Sequence, residues 1–326
     1  MRNRGLTVAG GVAGILCATA AGLGVYISNR IMYMVKKEDA LILEREINAK
    51  RLVPDRYDQL PKEEVWIHSP SGYQIKAVFI HPYPTKKYVI FCHGVTENKI
   101  NSVKYMNLFL EKGFNAVIFD HRRHGESGGK TTSYGFYEKF DLKAVVDALL
   151  EREGNNVRFG IHGESMGAAT ALLYAGSVED RADFYIADCP FSDFSEQLAY
   201  MMQKGRELPR SSKLAISLAN FFIRLRDGYR LQSIAPIEAV EHINKPVLFI
   251  HSENDGFIPS HMTEALFERK KGSKKLFIAP NGDHAQSYTA NQEEYSQLIS
   301  DFLEENGLLE PGMVVENEKI DVPYNK

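Results

Sequence analysis

The sequence predicts an α/β protein with a mainly parallel sheet, helices on both of its faces and an inserted helical cap. From about Glu64, runs of β-branched and aromatic residues alternate with helical stretches, which is typical of parallel strands covered on both sides. The interval between Pro190 and Pro246 breaks this alternation. It carries helical apolar patterns and is far longer than a helical crossover needs, so we expect it to form the cap.

The composition excludes several classes of protein. The chain has 326 residues, of which 44% are hydrophobic, and this is enough for a large buried core. Its formal net charge of -3 gives no reason to expect nucleic acid as a partner. Cys17, Cys92 and Cys189 do not make a disulfide framework, and we expect the last two to be small buried apolar residues.

The N-terminus carries an uncharged apolar run at residues 6–27, which is long enough to span a bilayer. Residues 18–20 read Ala-Thr-Ala and resemble a signal-peptidase site, but the apolar run continues beyond them. We therefore expect residues 1–35 to be an uncleaved single-pass transmembrane or signal anchor. Basic residues flank the run on both sides, so their distribution specifies its orientation in the membrane only weakly. Of the two orientations, we expect the one that places the main domain on the extracytoplasmic side. The charged, partly helical residues 36–63 are predicted to be a juxtamembrane arm.

The elements beyond the arm follow in order. Two runs on either side of Ser71-Gly72 predict an antiparallel hairpin near residues 64–82. Further strands are predicted at residues 88–94, 115–121, 157–163, 184–190, 246–252 and 275–280, and helices near residues 102–112, 136–152, 166–177, 260–271 and 292–305.

These elements define the predicted domains. Residues 64–190 and 246–309 form the core, residues 191–245 form the cap, and residues 310–326 form a polar tail. Ligands of open α/β sheets bind at the carboxyl ends of the strands, where we expect the cap to cover the pocket.

Two segments fit the pattern G-x-S-x-G, which surrounds the nucleophile of many serine hydrolases. GESMG at residues 163–167 follows a predicted strand and leads directly into an alanine-rich helix, as a nucleophile elbow requires. GESGG at residues 125–129 ends a polar, turn-rich stretch. Ser165 is therefore the predicted nucleophile, and Ser127 is predicted to be a loop residue.

A serine hydroxyl needs a general base, and the base needs an acid that holds its tautomer. Asp255 and His284 each follow a predicted strand, and they come after Ser165 in the order acid, then histidine. Asp188, at the end of another strand, is the rival acid, while Asp283 is predicted to be a turn residue.

The tetrahedral intermediate of acyl transfer also needs backbone donors for its negative charge. The predicted donors are the N–H groups of Met166, directly after the nucleophile, and of Val95, in the loop after the third strand. Gly94 permits the turn, and His93 is expected to orient this loop.

No metal site is predicted. His121 and His124 lack a third ligand at suitable spacing, so we expect them in a solvated loop or in hydrogen bonds at a strand end. The predicted chemistry requires no metal and no organic cofactor.

Five motifs follow one another along the chain in the order HGVT, DHRRHGESGG, GESMG, HSENDGFIP and GDHA. The chain, from about residue 64 to 308, resembles an α/β-hydrolase of the membrane-anchored bacterial serine-hydrolase type, close to the cinnamoyl-esterase-like and serine-aminopeptidase-like branch. The resemblance implies Ser165 as nucleophile, Asp255 as acid, His284 as base, and Val95 and Met166 as oxyanion donors. HGVT departs from the HGGG form of many lipases, which makes a lipase less favoured.

The expected function is hydrolysis of an acyl ester, most simply by a carboxylesterase that acts on small or aromatic esters. A serine aminopeptidase-like peptidase or a thioesterase is the alternative, since this fold hosts all of these reactions. A membrane-tethered binding module without catalysis is disfavoured because Ser165, Asp255 and His284 are all present. The expected partners are a small-molecule acyl substrate and, through the anchor, a membrane.

Overall fold

The structure is a computed structural model that describes residues 2–205 and 213–310. The tail predicted for residues 310–326 therefore lies, after its first residue, outside the described residues. Strands are β1 (Lys62–His68), β2 (Gln74–Ile80), β3 (Lys87–Cys92), β4 (Asn115–Phe119), β5 (Arg158–Glu164), β6 (Phe184–Asp188), β7 (Val247–Ser252) and β8 (Lys274–Ala279).

Helices alternate with most of the parallel strands and also occupy both the N-terminal region and the segment predicted to be the cap. They are α1 (Arg2–Met32), α2 (Asp39–Asn48), α3 (Pro54–Gln59), α4 (Val103–Leu110), α5 (Glu138–Glu153), α6 (Met166–Ser177), α7 (Phe194–Gln203), α8 (Lys213–Asp227), α9 (Pro236–Ala239), α10 (His261–Arg269), α11 (Ser287–Ala290) and α12 (Gln292–Glu305).

The strands of the described residues form an eight-stranded sheet in the order β1-β2-β4-β3-β5-β6-β7-β8. β1 and β2 form the predicted hairpin, and β2 pairs with β4 antiparallel, whereas the pairs from β4 through β8 are parallel. The predicted α/β class with a mainly parallel sheet is confirmed. Because the parallel strands all point the same way, the loops after β3, β5, β6, β7 and β8 meet at one edge.

Apolar side chains cover both faces of the sheet. On one face, α5, α6 and α10 contribute buried residues such as Leu149, Leu172 and Leu266. On the other face, α4 and α12 contribute Phe109 and Phe302, and the arm adds further apolar side chains. Burial on both faces explains why these strands read as continuous apolar runs instead of alternating ones.

The described chain divides into two compact units. One combines α1 with the segment Asp193–Ile234, and within it α1 packs along α8. The other contains the sheet, the helices that cover it and the arm from Val35 onward.

Candidate active site

Ser165 lies at the sharp turn between β5 and α6. Its backbone has φ 57° and ψ -117°, a conformation that L residues adopt only under strain. A Cβ on Gly163 would lie 2.4 Å from the Gly167 backbone, and one on Gly167 would lie 2.0 Å from the carbonyl oxygen of Cys92. The absence of a Cβ at Gly163 therefore lets the backbone turn back to Gly167, and its absence at Gly167 lets the turn pass close to the end of β3.

The structure brings Ser165, His284 and Asp255 into one chain of hydrogen bonds. The Oγ of Ser165 is 2.9 Å from Nε2 of His284, and Nδ1 of His284 is 2.7 Å from Oδ2 of Asp255. Since a carboxylate only accepts, Nδ1 of His284 donates and Nε2 is left to accept from the serine hydroxyl. Ser165 is buried, with 4% of its surface exposed, whereas 20% of the His284 side chain is exposed.

Asp255 is held by several donors. Its Oδ1 accepts from the backbone N–H groups of Phe257 and Ile258 at 2.8 and 2.9 Å, and Nε2 of His251 lies 3.1 Å from its Oδ2. Burial by itself raises the pKa of the Asp255 carboxyl, but the hydrogen bonds from His251 and His284 outweigh burial and hold this pKa well below its usual range. Asp255 is therefore ionised at neutral pH.

His251 is a supporting residue that the sequence-based interpretation missed. It contacts Asp255, and its Nδ1 lies 2.6 Å from Oγ1 of Thr263. His251 and Asp255 are four residues apart, and this spacing predicts a contact only when the conformation of the turn after β7 is known.

Asp283 joins the loops that carry Asp255 and His284. Its Oδ1 accepts from the backbone N–H of Gly256, in the loop after β7, at 2.9 Å. The same atom accepts from the backbone N–H of His284 at 2.8 Å. This carboxylate has the turn role expected of it, and it also fixes the distance between the two loops.

Asp188, the rival acid, has other partners. Its Oδ1 accepts from the hydroxyl of Ser287 at 2.8 Å and its Oδ2 from the hydroxyl of Tyr295 at 3.1 Å. Burial raises the pKa of the Asp188 carboxyl to about 6. Its backbone oxygen accepts from the N–H of Ser165 at 2.8 Å, so this residue supports the turn while Asp255 contacts the histidine.

The loop after β3 passes beside Ser165. A Cβ on Gly94 would lie 3.6 Å from the Cβ of Ser165, and Val95 follows directly. His93, as expected, orients this loop: its Nδ1 donates to the carbonyl oxygen of Gly94 at 2.7 Å and its Nε2 accepts from the N–H of His121 at 3.0 Å. Burial lowers the pKa of His93 to about 4, which keeps the ring neutral for this double role.

His124 also holds this loop. Its Nε2 accepts from the backbone N–H of Thr96, whose φ is 69°, at 3.2 Å, and its Nδ1 donates to the carbonyl oxygen of Arg122 at 2.9 Å. Burial lowers the pKa of His124 to about 3. His121 and His124 are buried, so the expectation of a solvated loop is wrong, while the alternative of hydrogen bonds at a strand end describes His124.

Ser127, the serine of the second G-x-S-x-G motif, lies in a loop as expected. Its hydroxyl donates to the carbonyl oxygen of Asp120 at 2.6 Å and accepts from the backbone N–H of Lys76 at 2.8 Å. The hydroxyl thereby ties the loop after β4 to β2, and it is only 9% exposed.

The segment predicted to be a juxtamembrane arm, residues 36–63, reaches the loop after β3. Arg45 of α2 donates from both terminal nitrogens to the carboxylate of Glu97, at 3.0 and 2.8 Å, and Lys37 forms an ion pair with the same carboxylate. The N–H of Lys37 also donates to the carbonyl oxygen of Thr96 at 3.2 Å. Burial raises the pKa of Glu97, but Arg45 and Lys37 outweigh it and lower this pKa overall.

A buried ion pair supports the elbow from below. Glu164, directly before Ser165, accepts from Nζ of Lys104 at 2.6 Å, from the hydroxyl of Tyr105 at 2.7 Å and from the amide of Asn101 at 2.8 Å. Burial opposes ionisation, yet these donors lower the pKa of Glu164 to about 2. Asn101 in turn accepts from Arg45 at 3.0 Å, which links α2 to Glu164, the residue beside Ser165.

Cys189 lies close to Asp255 and His284. Its sulfur, a carboxylate oxygen of Asp255 and a ring nitrogen of His284 lie within 4.8 Å of one another. Burial raises the pKa of the Cys189 thiol well above its ordinary value, so it is protonated at neutral pH. A protonated thiol is a poor metal ligand and a poor nucleophile, which agrees with the expectation of a small buried apolar residue.

The chain is similar in sequence to a known protein family and to several known proteins. A family model described as serine aminopeptidase, S33, matches residues 83–233. The uncharacterized protein YqkD of Bacillus subtilis (strain 168) is 49% identical over 292 residues, which cover 89% of this chain and 95% of that protein. The α/β hydrolase domain-containing protein WAV2 of Arabidopsis thaliana is 22% identical over 250 residues, which cover 74% of this chain and 78% of that protein.

A solved structure shows the same architecture. The esterase Pf2001 of Pyrococcus furiosus superposes with a TM-score of 0.62 and 24% sequence identity, over 78% of this chain and 96% of that chain. This likeness shows the fold.

Proposed function

We propose that this chain, which belongs to the α/β-hydrolase superfamily and is a hydrolase, cleaves carboxylic esters of small or aromatic acyl groups through an acyl-enzyme. The observation that carries the proposal is the chain of hydrogen bonds from Ser165 through His284 to Asp255, built on a strained turn. A serine hydroxyl in contact with a histidine that a buried carboxylate orients is an activated nucleophile.

In the proposed mechanism, the Oγ of Ser165 attacks the acyl carbonyl carbon while Nε2 of His284 takes its proton. The ionised Asp255 holds the histidine tautomer and stabilises the imidazolium that forms. The carbon–oxygen bond to the alcohol then breaks, and His284 returns the proton to the leaving alcohol. Water attacks the acyl-enzyme by the same route and releases the acid together with free Ser165.

The proposed oxyanion donors are the backbone N–H groups of Val95 and Met166. Met166 begins α6, where N–H groups of the first turn have no partner within the helix, and Val95 belongs to the loop that passes beside Ser165. The buried neutral rings of His93 and His124 preorganise this loop, so little rearrangement is needed when charge develops on the substrate oxygen.

A peptidase is the second candidate, and the match to the serine aminopeptidase family model favours it. An amide is cleaved by the same nucleophile and base, but its leaving amine needs protonation before it departs. Aminoacyl p-nitroanilides separate the two functions: turnover of these amides at rates comparable to those of esters assigns a peptidase. A thioesterase would instead prefer acyl thioesters over the matching oxygen esters.

We further propose that α1 is a membrane anchor with the sheet on the extracytoplasmic side. Residues Gly11–Met32 of α1 are 22 residues with a mean hydropathy of 1.7, long and apolar enough to cross a bilayer or to act as a signal sequence. Resistance of the full chain to alkaline carbonate extraction, with the sheet open to protease added outside the cell, is the expected result. Release into the soluble fraction as a shortened chain would show cleavage instead.

The hydrolase proposal is tested with the full chain in detergent and p-nitrophenyl esters of graded acyl length. Ser165→Ala is expected to lower kcat by about 10⁴-fold or more. Ser127→Ala, the matched control in the second motif, is expected to retain activity in the folded protein. Equal hydrolysis by the wild type and Ser165→Ala would remove the proposal, and the acyl length with the highest kcat/KM would define the depth of the pocket.

A further inference from the structure

Helices α1 and α8 pack side by side at an unusually close approach. A Cβ on Gly24 of α1 would lie 2.7 Å from the ring of Phe222 and 3.1 Å from the Cβ of Leu218, both on α8. Ile27 and Ile31 of α1 are buried. The C-terminal part of α1 is therefore packed within a folded unit, and the helix continues beyond the apolar run to Met32.

Polar contacts fix the direction of the pair. Arg226, near the end of α8, donates to the side chains of Asn29 and Ser28 of α1 at 2.7 and 3.2 Å, and its guanidinium lies 5.5 Å from the ring centre of Tyr33. Gly24 faces the segment that precedes Arg226, and Asn29 faces Arg226 itself, so the two helices run parallel. The beginning of α8 consequently lies beside the apolar part of α1 that precedes Gly24.

An apolar face of α8 points away from this contact. Leu214, Phe221 and Leu225 are 63%, 60% and 69% exposed, and their spacing of seven and four residues places them on one side of the helix. The neighbouring helix α1 also exposes apolar side chains along its length, namely Val12, Ile15, Leu16, Val25 and Tyr26. Together they make a larger exposed apolar surface than a helix in water normally carries.

We propose that α8 accompanies α1 into the bilayer, where the acyl chains of one leaflet cover the face formed by Leu214, Phe221 and Leu225. α1 alone is long enough to span, and a helix that packs parallel to its second half shares its depth. Arg226 and Tyr33 mark the end of the pair, where arginine and tyrosine side chains are favoured at the level of lipid headgroups. The inference rests on the proposed anchor and is independent of the ester chemistry.

Lipid suits this face better than a protein partner. Exposed apolar side chains lie on both of the parallel helices, and hydrocarbon can cover them over the length that the two helices share. The charged residues of α8 lie at its two ends, Lys213 at the beginning and Arg224, Arg226 and Asp227 at the end, so the stretch between them that includes Leu214 and Phe221 carries no charge.

The test uses tryptophan as a depth probe in the full chain. The protein has one tryptophan, Trp66, which lies exposed on β1 and is replaced by phenylalanine. In that background, Phe221→Trp reports on α8 and Leu16→Trp reports on α1. Each variant is reconstituted into phosphatidylcholine vesicles with or without bromine on the acyl chains, and circular dichroism confirms that it is folded.

The proposal predicts that the Phe221→Trp emission is blue-shifted and loses most of its intensity in brominated vesicles, while aqueous iodide has little effect. Wild-type Trp66 is the control and should respond to iodide alone. Quenching of Leu16→Trp without quenching of Phe221→Trp would overturn the proposal and leave the anchor intact. Quenching of neither would overturn both, and a blue shift that bromine does not affect but dilution of the protein reverses would assign the face to a second copy.

Discussion

Among the single side chains of the site, Asp255 gives the clearest test of the proposed acid. In Asp255→Asn, an amide replaces the carboxylate that accepts from Nδ1 of His284, so the histidine loses the tautomer it needs. We expect kcat for p-nitrophenyl esters to fall about 10⁴-fold with KM little changed. Asp283→Asn, which changes the neighbouring turn carboxylate, is the control. A much larger loss in Asp283→Asn than in Asp255→Asn would contradict the proposed acid.

Glu164 makes a prediction about stability and pH. Its pKa is lowered to about 2 in the folded protein, so its contribution to the free energy of unfolding is present above the unfolded pKa of about 4.3 and is lost as pH falls from there toward 2. Glu164→Gln leaves Lys104 buried without a counter-charge, and we expect a cost of about 3–5 kcal/mol at pH 7.

The measurement is Tm as a function of pH for the wild type and Glu164→Gln in the same detergent. The difference in Tm should narrow as the pH falls through the window from about 4.3 to 2. The double variant Lys104→Met with Glu164→Gln removes both charges and should recover part of the lost stability. A difference in Tm that stays constant down to the acid limit would mean that the ion pair does not stabilise the fold.

The sequence predicted which residues meet at the site but not what holds them. Ser165, Asp255 and His284 were predicted to come together because each lies in the loop or turn that follows a strand, and the carboxyl ends of parallel strands meet at one edge of the sheet. His251 was missed because its contact with Asp255 depends on the turn after β7. For His121 and His124 only the solvated-loop alternative is wrong, because both rings are buried, and their polar neighbours in the sequence give no sign of that burial.

At the scale of elements, the contact between α2 and the loop after β3 is the main finding beyond the sequence. Arg45 binds Glu97 in a two-point contact and also reaches Asn101, so it positions the loop that holds Val95. Arg45→Gln is expected to lower kcat about tenfold, less than the roughly 10²-fold or greater loss for removal of an oxyanion donor, with KM nearly unchanged. Steady-state kinetics on one p-nitrophenyl ester measures both values.

Two further variants make this prediction specific. Arg45→Lys keeps one charged donor and should recover part of the lost kcat. Lys143→Gln removes an exposed lysine that pairs with Asp147 on α5, so it should leave the kinetics unchanged. If Arg45→Gln raises KM and leaves kcat alone, the arm affects substrate binding and does not position the loop.

The strands were easier to predict than the arm for a physical reason. A strand buried on both faces must be a continuous apolar run, and this signal is local. The arm showed only a charged, partly helical pattern in the sequence. Its contact with the loop after β3 depends on Glu97, which is 52 residues from Arg45 in the sequence. The strand predicted at residues 88–94 also ends earlier, at Cys92, because the backbone carbonyl of Gly94 accepts from the ring of His93.

At the scale of the whole molecule, α1 is both an apolar segment and a packing partner. Removal of residues 1–34 would uncover side chains of α8 that pack against α1, such as Leu218 and Phe222 beside Gly24. We expect the shortened chain to have a lower Tm than the full chain in the same detergent and to bind a dye for apolar surface more strongly. A shortened chain that is monomeric without detergent and keeps the Tm of the full chain would show that α1 is only a tether.

The packing of α1 on α8 was beyond reach of the sequence. The apolar run predicts insertion into a membrane by its length, but the role of Gly24 appears only when Phe222 is placed against it. A glycine in an apolar helix is common, so the residue alone carries no such signal.

The most direct measurement of the central claim is the site of covalent labelling by a fluorophosphonate in the full chain, located by mass spectrometry of its peptides. We expect one adduct on the peptide that contains Ser165, and its loss in Ser165→Ala but not in Ser127→Ala. An adduct on Ser127, or steady ester hydrolysis by a protein that labels at neither serine, would contradict the proposed nucleophile.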